Sequence, residues 1–557
     1  MSPPQCVSFS TYPTSCEWQR YCPHVLGSRS PDSHWLRVAS TYWTMTTRTC
    51  SLQLSLPLEI ASLNKVRDGT ETSFRAGAQV IGDYHLHFKG TERSSPAYRA
   101  KLDRLNQRIA QRLFHLCYQN GGIYTKLGQQ LATFNHGLPK AYTTTLARLQ
   151  DQAKPVSFDL VKQTIKAEMG QPWQHYFQTI DSIPIASASL AQVHRAVDYH
   201  GRELAVKVQY PHLETQMKAD LRVIQWAFQL TEYFFPEIEI QWFLPEFQRA
   251  LLSELNFENE KDNSRRLAAC FTNNDSVYVP IVYDDLSTKR VLSMEFIRAP
   301  KISELHAIKT MGLDPRKVAR SLCAVFSEMI FCHGFVHCDP HPGNIFVRQN
   351  PDPRVKRKEQ IVLLDHGLYR ELDCEFRKTY CDLWRAMLLR DRTLLDDCCK
   401  KLNVGNFARY MPLLFTYRSI NHKGSLDAAM TDSERKKLNE DLRRLRFSNL
   451  TDFLEQLPPD MLFVFRTNNM IRALNKDLGG TTRERFSIMG NYAVSGHSAF
   501  YSVSTETGYG KMWALMCFWW EHLQLTLRFR VVDYFMTCSQ YRGGKTASTV
   551  TKRKQVD

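Results

Sequence analysis

The chain has 557 residues, a hydrophobic fraction of 43%, an aromatic fraction of 11% and a formal net charge of +16. These values describe a globular protein with room for two or three structural units and an affinity for anionic partners. Fifteen cysteines without CxxC pairs exclude a disulfide framework, and no run of 18 apolar residues marks a membrane-spanning helix.

Residues 1–95 show no sustained periodicity. The first fifty carry Arg20, Arg29, Arg37 and Arg48 against only Glu17 and Asp32. That balance fits an organelle transit peptide, although the prolines disfavour its usual amphipathic helix; a tail without fixed structure is the other reading. From Ala97 the pattern changes. Leu102, Leu105, Ile109, Leu113 and Leu116 recur at helical spacing. Gly121-Gly122 then precedes Lys126-Leu127-Gly128-Gln129, in which Lys126 and Gln129 sit three apart and share a helix face. Val161, Ile165 and Phe177 suggest a further helix and its connection.

The stretch Ile183–Val197 reads as two short strands around a loop of small residues. Ala186, Ala188 and Ala191 copy a Gly-x-Gly-x-x-Gly spacing with a methyl group at each glycine position. A Cβ hinders positive φ and close backbone approach, so phosphates held here would be held less tightly than by glycines. After Gly201, Glu203–Gln209 is a strand with Lys207 among apolar residues. A lysine there is costly without an anionic partner. Strand, small-residue loop, strand, turn and lysine-bearing strand together form the nucleotide edge of a kinase small lobe.

Helices are expected over Pro211–Phe235 and Phe243–Phe271, the second with Glu254, Asn256, Glu258 and Glu260. Val277–Val282 and Arg290–Phe296 read as strands, and Ile297–Pro300 as a hinge. A helix from Leu313 leads to His337-Cys338-Asp339-Pro340-His341-Pro342-Gly343-Asn344, followed by Leu363-Leu364-Asp365-His366-Gly367. A carboxylate, an amide five positions on and a second carboxylate after a short apolar strand are the parts of a phosphoryl-transfer site. Asp339 would orient the attacking group. Asn344 and Asp365 are hard oxygen donors suited to magnesium. His333, His337 and His341 have the spacing of helical zinc ligands, but Gly334, Pro340 and Pro342 interrupt any such helix. Ile345–Val347 and Ile361–Leu364 read as a strand pair joined by a polar excursion. Helices follow over Cys374–Leu389, Leu394–Leu402 and Leu450–Leu478, with a charged segment, Lys423–Arg446, before the last. Met512–Met536 is amphipathic; docking on the protein is preferred over lying in a membrane interface.

This set of motifs, in this order, resembles the UbiB family of aarF-domain-containing atypical kinases from about Ala97 onward. Histidine in Asp365-His366-Gly367, where phenylalanine is usual, resembles a mitochondrial subgroup. The resemblance implies an α+β, bilobed protein-kinase-like fold: a small β-rich N-lobe, a helical C-lobe and an N-terminal helical extension carrying the KxGQ motif. Its parts would be residues 1–95 (poorly ordered, the transit-peptide candidate), 96–182 (KxGQ extension), 183–300 (N-lobe with a helical insertion), 301–540 (C-lobe) and 541–557 (basic tail). It further implies binding of ATP and Mg2+. Lys207 would hold the phosphates and pair with Glu260, and Asp339 would be the catalytic carboxylate. Asn344 and Asp365 would be the metal ligands. Lys126 and Gln129 would project into the cleft with Glu254 as their acidic anchor, capping the site against protein substrates. Asn256 stands where the family has aspartate, which weakens a metal or charge role there. His366 is read as a hydrophobic substitute. The implied activity is an atypical kinase or ATPase in mitochondrial lipid, ubiquinone or membrane homeostasis, with little or no protein phosphorylation. The alternative is a pseudokinase scaffold. The implied partners are nucleotide, a lipid or prenyl-type ligand, and mitochondrial membrane or membrane proteins. Nucleic acid is not expected, and the family's frequent membrane-spanning helix is not visible.

Overall fold

Gly121 and Gly122 take φ values of 67° and 50° and divide the helical extension into α1 (Pro96–Asn120) and α2 (Gly122–Ala132). A third helix, α3 (Lys140–Leu146), packs with both. The structure is a computed structural model. It describes residues 96–132, 138–150, 155–211, 213–234, 243–355, 357–389, 391–405 and 458–504, with single positions between 71 and 83, at 408 and 411, and between 516 and 527. Residues 1–70 of the transit-peptide candidate, the charged segment Lys423–Arg446 and the basic tail lie outside the described residues.

α4 (Phe158–Met169) ends at Gly170 in the left-handed region and leads to an antiparallel sheet. Its strands are β1 (Phe177–Ile180), β2 (Ala186–Ser187), β3 (Ala191–Asp198) and β4 (Glu203–Gln209). The helices α5 (Leu213–Phe234), α6 (Phe243–Glu254) and α7 (Phe257–Cys270) follow, then β5 (Val277–Tyr278) and β6 (Val291–Glu295). The sheet order is β1-β3-β4-β6, with β2 paired to β3. Val161 and Ile165 of α4 pack on Phe177, Leu204, Val206 and Val291 to form the core of this small lobe. The sheet thus begins at Phe177, a strand that the sequence reading had taken as a connection.

Two motif residues explain how α4 is held there. Gln192 Oε1 accepts from the Val156 N–H at 2.9 Å, and Gln192 Nε2 donates to the Val156 carbonyl and to His194 Nε2. A buried amide on β3 therefore secures the approach to α4 at both backbone groups.

The single helix expected over Phe243–Phe271 is two helices. Asn256 leaves the helical region, and its side chain accepts from the Glu258 N–H to cap α7. The Phe257 N–H is taken by the Lys289 carbonyl. This break turns Glu254 and Glu260 toward different partners.

The large lobe is helical around a small sheet. α8 (Leu305–Thr310) precedes α9 (Pro315–Glu328), which starts on an Asp314 cap with proline in its first turn. One π-helical turn, Met329–His333, carries α9 to Gly334 and into β7 (Phe335–His337). β8 (Ile345–Gln349) and β9 (Glu359–Leu363) are antiparallel, and β10 (Tyr369–Glu371) pairs with β7. Of the strand expected over Val277–Val282 only β5 forms, and it runs parallel to β9 in the large lobe. α10 (Cys374–Leu389), α11 (Arg392–Lys401), α12 (Pro459–Asp477) and α13 (Thr482–Ser504) complete the lobe. Val318, Leu322, Phe331, Trp384, Ile471 and Phe486 belong to one buried cluster there. The KxGQ extension has its own core: Ile123, Tyr124 and Leu127 of α2 pack with Met217, Ile224 and Phe247 of α5 and α6. The architecture is therefore the bilobed α+β kinase-like fold with a helical extension.

No helix among the described residues is long and apolar enough to cross a membrane. Trp519, Leu523 and Leu527, the positions of the expected apolar stripe of Met512–Met536 that lie among the described residues, are each about half exposed or more. The expectation of docking fails at these positions.

Candidate active site

β4 carries Lys207 into the cleft between the lobes. Its Nζ lies 2.9 Å from both oxygens of Glu260 on α7 and 3.1 Å from Asp365 Oδ1. The Phe257 ring stands 5.1 Å from the same ammonium. The buried lysine thus meets one carboxylate from each lobe. Burial pushes the Glu260 carboxyl up to about 7, against the pull of Lys207. Burial also opposes ionisation of Asp365, but Lys207 and Lys126 outweigh it and hold that carboxyl well below the usual carboxylate range. The same two acids, acting against burial, hold Lys207 above its ordinary value.

Asp365 adopts φ 55°, a conformation that L-residues other than glycine, asparagine and aspartate rarely take. Gly367 follows in close quarters: a Cβ there would lie 3.3 Å from Asp365 Oδ1 and 3.4 Å from Glu254 Cγ. The Leu364 N–H donates to the Asn344 carbonyl at 2.8 Å, which places the end of β9 beside the start of β8. The Asn344 amide donates through Nδ2 to the Asp339 carbonyl at 3.2 Å, leaving Oδ1 as its acceptor. The Leu364–Asn344 backbone bond brings side by side the two segments that carry the hard oxygen donors Asn344 and Asp365. Magnesium normally takes one or two such protein ligands and completes its shell with water and phosphate oxygens, so the donor set fits that ion.

His337 is fully buried. Its Nδ1 accepts from the Asp339 N–H at 3.1 Å and its Nε2 lies 3.2 Å from the Leu364 carbonyl, so it ties the Asp339 loop to the segment before Asp365. His366 differs from the expected hydrophobic stand-in. It bonds the Tyr369 hydroxyl through Nδ1 at 2.8 Å and the Leu363 carbonyl through Nε2 at 3.2 Å, and burial pushes its pKa down to about 3. It is a neutral, hydrogen-bonded ring in a polar network. The zinc spacing has no counterpart in space: His333 pairs with Glu328 and His341 accepts from the Gly343 N–H. No cluster of three or more metal-ligating side chains of these types occurs among the described residues.

The alanine loop is a tight turn. The Ala188 N–H bonds the Ala191 carbonyl at 2.8 Å, and Ala186 pairs with Val193 across β2 and β3. None of the three alanines takes a positive φ. The Ala188 carbonyl accepts from the Tyr210 hydroxyl, and Ala191 is buried with Phe257 and Leu292.

The extension meets the cleft through Lys126, whose Nζ is 2.6 Å from Glu254 Oε1. Gln129 requires a correction. Its Nε2 donates to the Leu149 carbonyl at 3.0 Å, holding the α2 helix to its own extension rather than reaching into the cleft. Its neighbour Gln130, four residues from Lys126, takes the cleft-side position. Arg466 Nη1 donates to Gln130 Oε1 at 2.5 Å, and Arg466 Nη2 reaches Asp339 Oδ1 at 3.3 Å. Arg466 and Gln130 were not foreseen: one is an arginine on a distant helix, and the other is adjacent to the expected glutamine. Gly128 has a steric role. A Cβ there would sit 2.3 Å from Leu149 Cδ1 and 3.2 Å from Cys117 Sγ, so a larger residue would have to displace those side chains.

The chain is similar to known proteins. The ABC1 atypical kinase-like domain matches residues 148–398. AarF domain-containing protein kinase 1 of Xenopus laevis is 34% identical over 404 residues, 72% of this chain and 77% of that protein. The probable serine/threonine-protein kinase abkD of Dictyostelium discoideum is 38% identical over 425 residues, 76% of this chain; the chain spans 60% of that protein's length. Secreted RxLR effector protein 27 of Plasmopara viticola is 69% identical over 185 residues, 33% of this chain and 79% of that protein. The chain belongs to the UbiB/aarF family of ABC1 atypical kinase-like proteins.

Proposed function

We propose that the protein binds a magnesium nucleoside triphosphate, ATP, and is an atypical kinase or ATPase whose acceptor is not a protein. The observation that carries this reading is the meeting of Lys207 with Glu260 and Asp365 in the cleft. A buried ammonium between two carboxylates is placed to exchange one of them for phosphate oxygens, while Asp365 and Asn344 turn to the ion that accompanies the phosphates. Bound magnesium would neutralise charge on those phosphates. Asp339 would orient the acceptor hydroxyl or water. The α2 helix, fixed by Lys126–Glu254, would stand in the approach of an extended peptide.

The biological setting we propose is the mitochondrion, with a lipid or prenyl-type ligand and a role in membrane or ubiquinone homeostasis. Its support is the basic, acid-poor N-terminal composition and the exposed apolar positions Met516, Trp519, Trp520, Leu523 and Leu527.

Thermal-shift titration with Mg-ATP tests the site. The wild type should be stabilised and Asp365→Asn should not, because asparagine tolerates the same backbone conformation but lacks the charge. Equal stabilisation of both would refute the assignment.

A further inference from the structure

The geometry points to Arg466 as the positioning residue of Asp339, and to a dependence of that carboxylate's placement on the seating of α2. The inference rests on the phosphoryl-transfer reading of the cleft.

Backbone and side chain of Asp339 are held by different parts of the protein. The loop itself fixes the backbone: His337 Nδ1 accepts from the Asp339 N–H, and Asn344 Nδ2 donates to its carbonyl. The segment Asp339–Asn344 contains no lysine or arginine. The cation on the carboxylate comes instead from α12, 127 residues away in sequence, where Arg466 Nη2 lies 3.3 Å from Asp339 Oδ1. Lys126 adds attraction from the extension side.

The second nitrogen of the same guanidinium is committed to Gln130 at 2.5 Å. One planar fork therefore spans three elements: the Asp339 loop, α12 and α2. A guanidinium has a fixed angle between its donors, so both contacts are made well only when α2 and the loop stand in one relative position. Gln130 reaches that position because Gly128 allows α2 to close on Leu149 and because Lys126 is anchored on Glu254.

Arg466 Nε is buried without a hydrogen-bond partner. Unsatisfied buried polar atoms carry a cost and occur in native proteins where function retains them.

The experiment uses the full chain and Mg-ATP, with steady-state turnover and native-state hydrogen exchange as the two readouts. Arg466→Gln should lower kcat roughly ten-fold or more while leaving the nucleotide KM within about two-fold, because Arg466 touches neither Lys207 nor Asp365. Arg466→Lys keeps the charge but holds one partner only, and should recover part of kcat. Gln130→Ala should lower kcat by less, and the Gln130→Ala/Arg466→Gln double variant should be no worse than Arg466→Gln, since both act through one contact. Nucleotide binding serves as the folded-state control. Amides of Gly122–Ala132 should exchange faster in Arg466→Gln. An unchanged kcat, or fully additive effects of the two substitutions, overturns the inference. Absence of turnover in the wild type defeats the phosphoryl-transfer reading instead; the exchange measurement then decides the coupling alone, and unchanged protection of α2 overturns it.

Discussion

Lys126 Nζ and Glu254 Oε1 stand 2.6 Å apart, joining the α2 helix to the end of α6 by an ion pair whose two side chains are only 11% and 13% exposed. Burial pushes the Glu254 carboxyl up, and Lys126 opposes that push. Removing one member of such a pair leaves an uncompensated charge in a poorly solvated site. Lys126→Met should therefore destabilise the protein by about 3 kcal/mol, and adding Glu254→Gln should recover most of the loss. Urea unfolding of the two variants checks this. A double variant as unstable as the single one would show that packing, rather than charge, dominates the contact.

Lys207 holds Asp365 Oδ1 at 3.1 Å. On the proposed reading, magnesium would have to compete with an ammonium for that carboxylate unless phosphate oxygens took the ammonium's place. Magnesium alone should therefore produce little thermal stabilisation, nucleotide alone some, and the two together clearly more than their sum. Titrations with each component separately and then jointly measure it; a strong shift with magnesium alone would contradict the pairing. In Lys207→Met the competition is gone, and nucleotide should no longer enhance the response to magnesium.

Two glycines on α13 predict different costs from the same substitution. A Cβ on Gly496 would lie 2.4 Å from the carbonyl oxygen of Phe331, a backbone atom in the π-helical turn. A Cβ on Gly490 would lie 2.6 Å from Leu388 Cδ1, the far end of a side chain that can rotate. Gly496→Ala should cost about 2–3 kcal/mol and Gly490→Ala about 1 kcal/mol or less, within the range found for overpacked cores. Thermal unfolding ranks them, and the reverse order would mean that α13 does not lie against the Phe331 carbonyl.

The fold was legible because its signals are local. The alternation around Lys207, the Gly121-Gly122 break and the two strands flanking the excursion after Asn344 all lie within short windows, and the bilobed α+β architecture follows from them. The candidate site was legible only as residue types. Asp339, Asn344 and Asp365 announce oxygen chemistry through spacing, but the partner of Asp339 lies 127 residues away on α12, and a lone arginine in a helix carries no signal. Gln129 and Gln130 are adjacent and chemically identical. Which one faces the cleft is decided by the Leu149 carbonyl, a tertiary contact. The break at Asn256 was hidden for a similar reason: the helical periodicity continues through it, and only the Lys289 carbonyl and the Asn256 cap reveal two helices. β5 departs from its expected neighbours because a two-residue strand takes its pairing from β9, far along the chain.

His194 is buried on β3 with both ring nitrogens engaged. Nδ1 lies 2.7 Å from the Asp181 carbonyl, which can only accept, so this nitrogen carries the proton. Nε2 lies 2.9 Å from Gln192 Nε2, which can only donate because Gln192 Oε1 is fixed on the Val156 N–H. The neutral ring satisfies both partners. A second proton would set an N–H against an N–H2 group. Burial lowers the His194 pKa below its ordinary value of 6.5, and the Asp181 carbonyl only partly opposes it. The sign follows directly: below 6.5 the unfolded chain takes up a proton that the folded chain refuses, so the contribution of His194 to stability is full above that pH and is lost on acidification toward the depressed folded value. The slope it adds approaches about 1.4 kcal/mol per pH unit for one proton. Unfolding free energies measured between about pH 7.5 and 5.5 should fall more steeply for the wild type than for His194→Gln, which keeps hydrogen-bonding capacity but cannot titrate in this range. Parallel curves would mean that His194 accepts its second proton while folded, and that the Gln192 amide is not held in the orientation that secures α4 to the sheet.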